Sequence, residues 1–299
     1  MHIRGSAIDS QQRRAGIRVK ETESMTDKDD RKPRKPVRDL GRAFGGALIF
    51  SLPMLMTMEF WVLGFTIDSL RLFIFLVVAL PVLVKLSQII GFEGSRRWTD
   101  NIADAAIALL VGALVAAIIL SAFGVLTWEM PAREIVGKIA IQTVPAAIGA
   151  LLARSQFGSD RGDEVEKKDE TYSGEMFHMA VGALFLGLNV ASTEEIAQIA
   201  YRISAWHAFS ISLISIVIVH SFVFAVGFRG GSQLDPDTPW WREFLRFTLP
   251  GYLLGLAISL YLLWTFHSAD ELPFRVLVFS TIVLGLPSSI GAAAARLIL

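Results

Sequence analysis

The sequence contains no cysteine among its 299 residues. Disulfide bonds, thiolate nucleophiles and cysteine-ligated metal sites are therefore excluded. Histidine is scarce, and the five histidines, at positions 2, 178, 207, 220 and 267, form no pair with the spacing of metal ligands on a helix. The motifs G-x-x-x-x-G-K-[ST], H-E-x-x-H and G-x-S-x-G are also missing. The sequence thus predicts neither an enzyme nor a bound cofactor, and it leaves the question of a metal open.

Charge is also sparse. Charged residues make up 19% of the chain and hydrophobic residues 53%, with a mean hydropathy of +0.51. Soluble domains carry about 25% charged residues. Residues 1–42 hold 12 of the 28 lysines and arginines, so the remainder is poorer in charge than the average suggests. This composition argues against a disordered chain or a soluble enzyme and indicates an integral membrane protein.

Long apolar runs predict eight membrane spans. Each run has about the 20 residues that a helix needs to cross a 30 Å hydrocarbon core. The runs are continuously apolar rather than alternating, which favours helices over barrel strands. The predicted spans are Phe44–Thr66, Leu70–Ile90, Ile102–Leu126, Ile135–Ala153, Glu175–Ser192, Trp206–Phe228, Phe244–Phe266 and Phe274–Leu297.

Lysine and arginine concentrate on one side of these spans. The N-terminal segment and the second, fourth and sixth connecting loops are basic, whereas the opposite side holds only Arg71, Arg133, Arg202 and Arg275. The positive-inside rule therefore predicts cytoplasmic N and C termini. Residues 1–39, which are polar and basic, are predicted to be a disordered cytoplasmic tail.

The chain also repeats itself. A shift of 136 residues places Gly46-Ala47-Leu48 on Gly182-Ala183-Leu184, and continues without a gap to pair Thr57 with Thr193 and Glu59 with Glu195. A shift of 142 residues places the segment Pro145–Arg154 on Pro287–Arg296. Matched Glu, Thr, Pro and Gly are harder to obtain by chance than matched Leu or Ile. The sequence therefore predicts an all-α polytopic protein with two parallel four-helix repeats.

The repeats occupy residues 40–156 and 173–299, joined by a charged cytoplasmic linker at 157–172. Because each repeat has an even number of spans, both enter the membrane from the same side. The halves are then expected to be related by a pseudo-twofold axis along the membrane normal, as in parallel-repeat transporters.

Acidic residues inside or beside the spans are the main candidates for a functional site, because intramembrane charges are costly. Carboxylate, hydroxyl and amide oxygens suit cations or protons. These predicted ion-binding residues are Thr57, Glu59, Asn189, Thr193, Glu194 and Glu195. We expect Glu59 and Glu195 to face each other at the interface of the repeats.

The helices near these glutamates are predicted to be interrupted. Pro53 precedes Thr57 by one turn, and Ser192–Glu195 fits a capping box with Ser192 as N-cap. Interrupted helices at matching places in two halves point to a binding site. A structural alternative is that Thr193–Ser204 forms an amphipathic helix outside the membrane, with Glu194 and Glu195 in water.

Other polar residues have weaker interpretations. Lys85 and His220 lie at nearly equivalent positions, either snorkelling to the interface or forming an inner gate. Asp68 and Arg71 are close enough in sequence to pair with each other. Asp104 is expected to cap or orient its helix. The Pro-x-x-Ile-Gly-Ala segments are interpreted first as helix-packing motifs.

Three segments carry a family resemblance: Arg42-Ala-Phe-Gly-Gly-Ala-Leu with Thr57-Met-Glu-Phe-Trp61, Asn189-Val-Ala-Ser-Thr-Glu-Glu195, and Gly137-Lys-Ile-Ala with Pro145–Arg154. They resemble a family of bacterial integral membrane proteins without an assigned function. The resemblance covers roughly Asp39 to the C-terminus. It implies a bacterial cytoplasmic membrane protein and brings no ligand or mechanism.

Two functions remain open at this point. The favoured one is a channel or secondary transporter for an inorganic cation or a proton, with membrane lipids as surroundings and no nucleic-acid partner. The alternative is a non-transporting scaffold or sensor whose tail or linker contacts a partner.

Overall fold

A computed structural model describes residues 34–90, 98–156, 172–227, 240–270 and 272–298. Within these ranges the regular structure is helical and no strand occurs. The chain divides into two units, residues 1–42 and 43–299, and every contact described below lies in the second. Apart from Tyr172, the predicted linker lies outside the described residues, as does most of the predicted tail, although the first helix begins at Arg34, within that tail.

The helices of the first half are α1 (Arg34–Leu55), α2 (Met58–Thr66), α3 (Ser69–Ile90), α4 (Trp98–Ala122) and α5 (Ala132–Gln156). Those of the second half are α6 (Tyr172–Ala191), α7 (Glu195–Arg202), α8 (Ala205–Gly227), α9 (Trp240–Glu243), α10 (Leu249–Thr265) and α11 (Phe274–Ile298). A π-helical turn, Phe244–Thr248, joins α9 to α10.

Among the described residues, seven helices are long and apolar enough to cross a membrane, or eight if α1 and α2 together count as one span. Their outward faces are apolar, as Leu110 and Phe209 show with exposed fractions of 70% and 60%. Extensive exposed apolar surface on long helices is what a lipid environment requires. The prediction of an all-α membrane protein is confirmed.

The first predicted span, Phe44–Thr66, is interrupted near Pro53, as the sequence predicts. Helix α1 ends at Leu55, and α2 starts at Met58 after a bend of 86°. Pro53 lies in the last turn of α1, where its missing N–H and its ring weaken continuation of the helix. With nine residues, α2 is about 13 Å long and too short to span the bilayer alone.

The second half has a matching break, but the predicted capping box is wrong. Helix α7 starts at Glu195 with Glu194 as its N-cap, and that cap makes no side-chain hydrogen bond. Thr193 instead turns back, with its hydroxyl and its backbone N–H both donating to the carbonyl of Val190, at 2.9 and 3.1 Å. The turn therefore caps the end of α6. Helix α7, which follows the turn, is short and amphipathic and buries Ile196.

The same packing contact occurs once in each half. Helix α1 crosses α5 so closely that a Cβ on Gly46 would lie 2.6 Å from the carbonyl oxygen of Gly149. In the second half, a Cβ on Gly182 would strike the carbonyl of Gly291 where α6 crosses α11. These glycines hold matching places in the predicted repeats, and they pack as the small-residue motifs predicted. The rotation axis relating the halves stays a prediction.

The halves pack together through apolar side chains. The main core cluster contains residues from both, including Phe60 and Phe75 of the first half and Phe266 of the second. Both aromatic rings of the first half meet Phe266 edge-on, with centroids 5.7 and 6.0 Å away. Since Phe75 is near the start of α3 and Phe266 follows α10, these two helices run antiparallel where they meet.

Candidate functional site at the broken first helix

The end of α1 leaves backbone carbonyls without helical donors, which is costly in a membrane. Two of them receive side chains from beyond the break. The hydroxyl of Thr57 donates to the carbonyl of Pro53 at 2.5 Å, and the indole N–H of Trp61 donates to the carbonyl of Leu55 at 2.8 Å. Side chains of the next segment thus cap α1 and fix the direction in which the chain turns.

A third carbonyl of α1, that of Met54, accepts the backbone N–H of Thr57 at 3.1 Å and is also capped from a distant helix. Nε2 of Gln142, on α5, donates to the carbonyl of Met54 at 3.1 Å, and Gln142 is 1% exposed. Its Oε1 is buried with no hydrogen-bond partner among the described residues. The amide therefore reaches the break itself, 88 residues away in sequence, and keeps an acceptor directed into the protein.

Gln142 belongs to a line of polar side chains along one face of α5. We call Glu134, Lys138 and Gln142, each four residues from the next, the α5 polar stripe. The ammonium of Lys138 lies 2.6 Å from the carboxylate of Glu134 and 3.4 Å from the carbonyl of Val125. Lys138 is only 7% exposed. A buried ammonium requires such a partner, since an isolated charge in an apolar setting is very unfavourable.

In the sequence, Lys138 and Gln142 interrupt the apolar run of the fourth predicted span, Ile135–Ala153. Their spacing of four, continued upstream by Glu134, places all three on one helix face. That spacing was the available signal. The target of Gln142 could not have been inferred, because it depends on where α1 breaks.

Helix α2 lies directly on α5 beside this stripe. A Cβ on Gly64 would be 2.5 Å from Cα of Lys138, and a Cβ on Gly137 would strike the carbonyl of Gly64. Only glycine allows the two backbones to approach this closely. The crossing covers the α5 polar stripe with a short helix and positions the start of α2 near the break.

Glu59 lies in the first turn of α2, two residues beyond Thr57, and is half-buried. A carboxylate in the first turn is favoured by the unpaired N–H groups at a helix start. Glu195 holds the same place in α7, but it and Glu194 are exposed. Helix α2 packs on α5, and α7 packs on α11, so each glutamate belongs to the short helix of its own half.

The other predicted ligands bond to their own helices. Besides Thr57 and Thr193, described above, Asn189 donates to the carbonyl of Phe185 at 2.8 Å. Within the described ranges, no group of three or more His, Asp or Glu side chains is arranged to hold a metal ion. The structure thus places the six predicted residues at the two breaks.

The two predicted gate residues have separate partners. Lys85 is exposed, with its ammonium 3.5 Å from Oε1 of Gln88. His220 on α8 lies 2.9 Å from the hydroxyl of Thr248 through Nδ1. Each of these bonds is made within its own half.

The predicted pairing of Asp68 with Arg71 is wrong. Asp68 accepts hydrogen bonds from the backbone N–H groups of Leu70 and Arg71, at 2.9 and 3.3 Å, and so caps the start of α3. The guanidinium of Arg71 instead reaches the second half, 3.0 Å from the carboxylate of Asp270 and 2.7 Å from the carbonyl of Trp264. Arg71 therefore bridges the two halves.

Comparison with known proteins places the chain at the level of a family. No curated protein and no solved structure matches it. One family model matches residues 39–299, which covers most of the chain and all the helices from α2 to α11. The chain belongs to the family described as "Putative integral membrane protein (DUF2391)".

Proposed function

We propose that this integral membrane protein provides a path for an inorganic cation or a proton, with Glu59 near one mouth of the path. The observation that carries the proposal is the break between α1 and α2, with half-buried Glu59 two residues beyond Thr57. Broken helices at corresponding places in two halves are typical of binding sites in transporters. The carboxylate supplies the negative charge that a cation or proton requires.

The α5 polar stripe supports the same proposal. Gln142 contributes a buried amide oxygen next to the break, which is a suitable neutral ligand for a cation. Lys138 is neutralised by Glu134, so its charge would repel a passing cation less than a free ammonium would. Glu195 occupies the corresponding place in the second half and would form the second mouth or the second ligand.

A non-transporting scaffold is the second candidate, and a specific observation favours it. The carbonyls of Pro53, Met54 and Leu55 all accept hydrogen bonds from the protein itself. A break whose backbone groups are already satisfied is also what a purely structural bend requires.

Ion flux into proteoliposomes distinguishes the two functions. Purified full-length protein is reconstituted, and the uptake of Na⁺, K⁺, Ca²⁺ and H⁺ is measured for the unmodified chain, Glu59→Gln and Glu195→Gln. Glutamine keeps size and hydrogen bonding but removes the charge, so we expect Glu59→Gln to abolish flux of the conducted ion. Glu129→Gln is the matched control, since Glu129 is an exposed acid on the loop between α4 and α5.

Flux that is unchanged in both Glu59→Gln and Glu195→Gln, or no flux of any of the four ions, would favour the scaffold. Equal loss in Glu129→Gln would show that the effect is general surface charge and not a site at the break. Elution as a single monodisperse species in detergent serves as the folding check for each variant.

A further inference from the structure

An apolar cavity of about 200 Å³ lies where the two halves meet. Its walls come from α3 and α5 of the first half and from α6 and α10 of the second, and they include Val78, Ala180, Leu184 and Tyr261. Val78 is 42% exposed on the lipid-facing surface, so the cavity opens sideways toward lipid. The wall residues of α3 run from Phe75 to Val82, a length of about 10 Å at 1.5 Å per residue.

A cationic side chain lies toward one end of this cavity. On α3 the wall residues Val78 and Val82 are followed on the same helix face by Lys85, at spacings of four and three. Lys85 is exposed, and its contact with Gln88 is long for a hydrogen bond.

We propose that this cavity binds one acyl chain of an anionic phospholipid, with the headgroup held at the end marked by Lys85. The apolar walls fit a hydrocarbon chain, and the cation at one end matches a negatively charged phosphate. The site does not depend on ion transport, because no residue at the break takes part in it. The bound chain fills space between the halves and stabilises their contact.

Photo-crosslinking tests the site in purified full-length protein. Phosphatidylglycerol and phosphatidylcholine, each with a diazirine in one acyl chain, are added in detergent, and labelled peptides are identified by mass spectrometry. We expect phosphatidylglycerol to label wall peptides of α3, α6 and α10. Ala180→Phe, which fills the cavity, should remove that labelling, whereas Ala106→Phe on the exposed face of α4 should not.

The headgroup contact is tested by charge. Lys85→Gln should weaken phosphatidylglycerol binding about fivefold, from the loss of one cationic contact near the membrane surface, and Lys85→Arg should restore it. Arg202→Gln, at an exposed cation of α7, is the matched control. If Ala180→Phe does not yield monodisperse protein, Ala180→Leu replaces it.

Labelling of the wall peptides that is unaffected by filling the cavity would overturn the proposal. So would equal labelling by the two lipids together with no effect of Lys85→Gln, because the headgroup would then not be recognised.

Discussion

The two halves have the same order of helices. They differ in the side chains of the long helix that packs against the short one, which is α5 in the first half and α11 in the second. In the first half, α5 carries the α5 polar stripe. The residues 142 positions later on α11 are all buried, and two of the three are apolar: Val276, Ser280 and Leu284. The long helix therefore carries charged and polar side chains at these positions in the first half and mainly apolar side chains in the second.

The two breaks also differ in how they are capped. Both have the same local turn, in which the backbone N–H of Thr57 donates to the carbonyl of Met54 and that of Thr193 to the carbonyl of Val190, each at 3.1 Å. In the first half alone, the carbonyl of that turn also receives a donor from a different helix, Nε2 of Gln142. This long-range cap links the break to the packing of α5. Glu59 also lies in this half, and it is half-buried, whereas the other two predicted glutamates, Glu194 and Glu195, are exposed. The buried and half-buried candidate residues for function therefore lie mainly in the first half.

Replacing Lys138 with serine, the residue at the matching place in α11, should cause the largest loss of stability. The carboxylate of Glu134 would remain, mostly buried and without its ammonium, and breaking a buried pair in this way costs about 3 kcal/mol. The measurement is thermal or denaturant unfolding in detergent, compared with the unmodified protein.

The double variant Glu134→Val with Lys138→Ser sharpens the comparison. It copies both second-half residues and removes the stranded carboxylate, so it should recover most of the lost stability. A double variant as unstable as Lys138→Ser alone would mean that the ammonium stabilises the protein through its contact with the carbonyl of Val125, in the loop after α4, and not through Glu134.

The crossing of α2 and α5 is expected to show the next largest effect. Gly137→Ala would force a methyl group against the carbonyl of Gly64, and overpacking of this kind costs about 2 kcal/mol. Gly45→Ala is the matched control, because a Cβ there meets nothing within 4 Å and alanine is favoured in helices by up to about 1 kcal/mol. Equal unfolding midpoints for the two variants would show that α2 can move away from α5 without cost.

Much of the fold could be predicted from the sequence, because length and hydropathy directly reflect the bilayer. The break near Pro53 was predicted, but not that it divides the first span by 86°. Proline shows where a helix weakens, whereas the direction of the next segment depends on contacts such as Trp61 with the Leu55 carbonyl. The interpretation of Ser192 as an N-cap failed because Thr193 offered a competing local hydrogen bond.

The candidate site was predictable only in part. Glu59 stands out in sequence because an acid among Met and aromatic residues is unusual in a span. The partners of Gln142 and Arg71 lie 88 and 199 residues away, and no local pattern encodes such pairs. For Arg71, the nearby Asp68 was the natural choice until the structure showed that its carboxylate caps α3.

Arg71 provides the smallest predicted effect and the last test of the comparison. Its matching position in the second half is His207, which bonds locally to Ser204 through Nδ1 at 2.7 Å and does not need a distant partner. Arg71→His should therefore remove the bridge to Asp270. Because the two side chains are 20% and 40% exposed, the pair should contribute no more than about 1 kcal/mol. Unfolding at low and high salt measures this, and the difference between variant and parent should shrink as salt rises. A loss well above 1 kcal/mol that salt does not alter would show that the stack of Arg71 on Trp264 and its bond to the Trp264 carbonyl hold the halves together, with Asp270 contributing little.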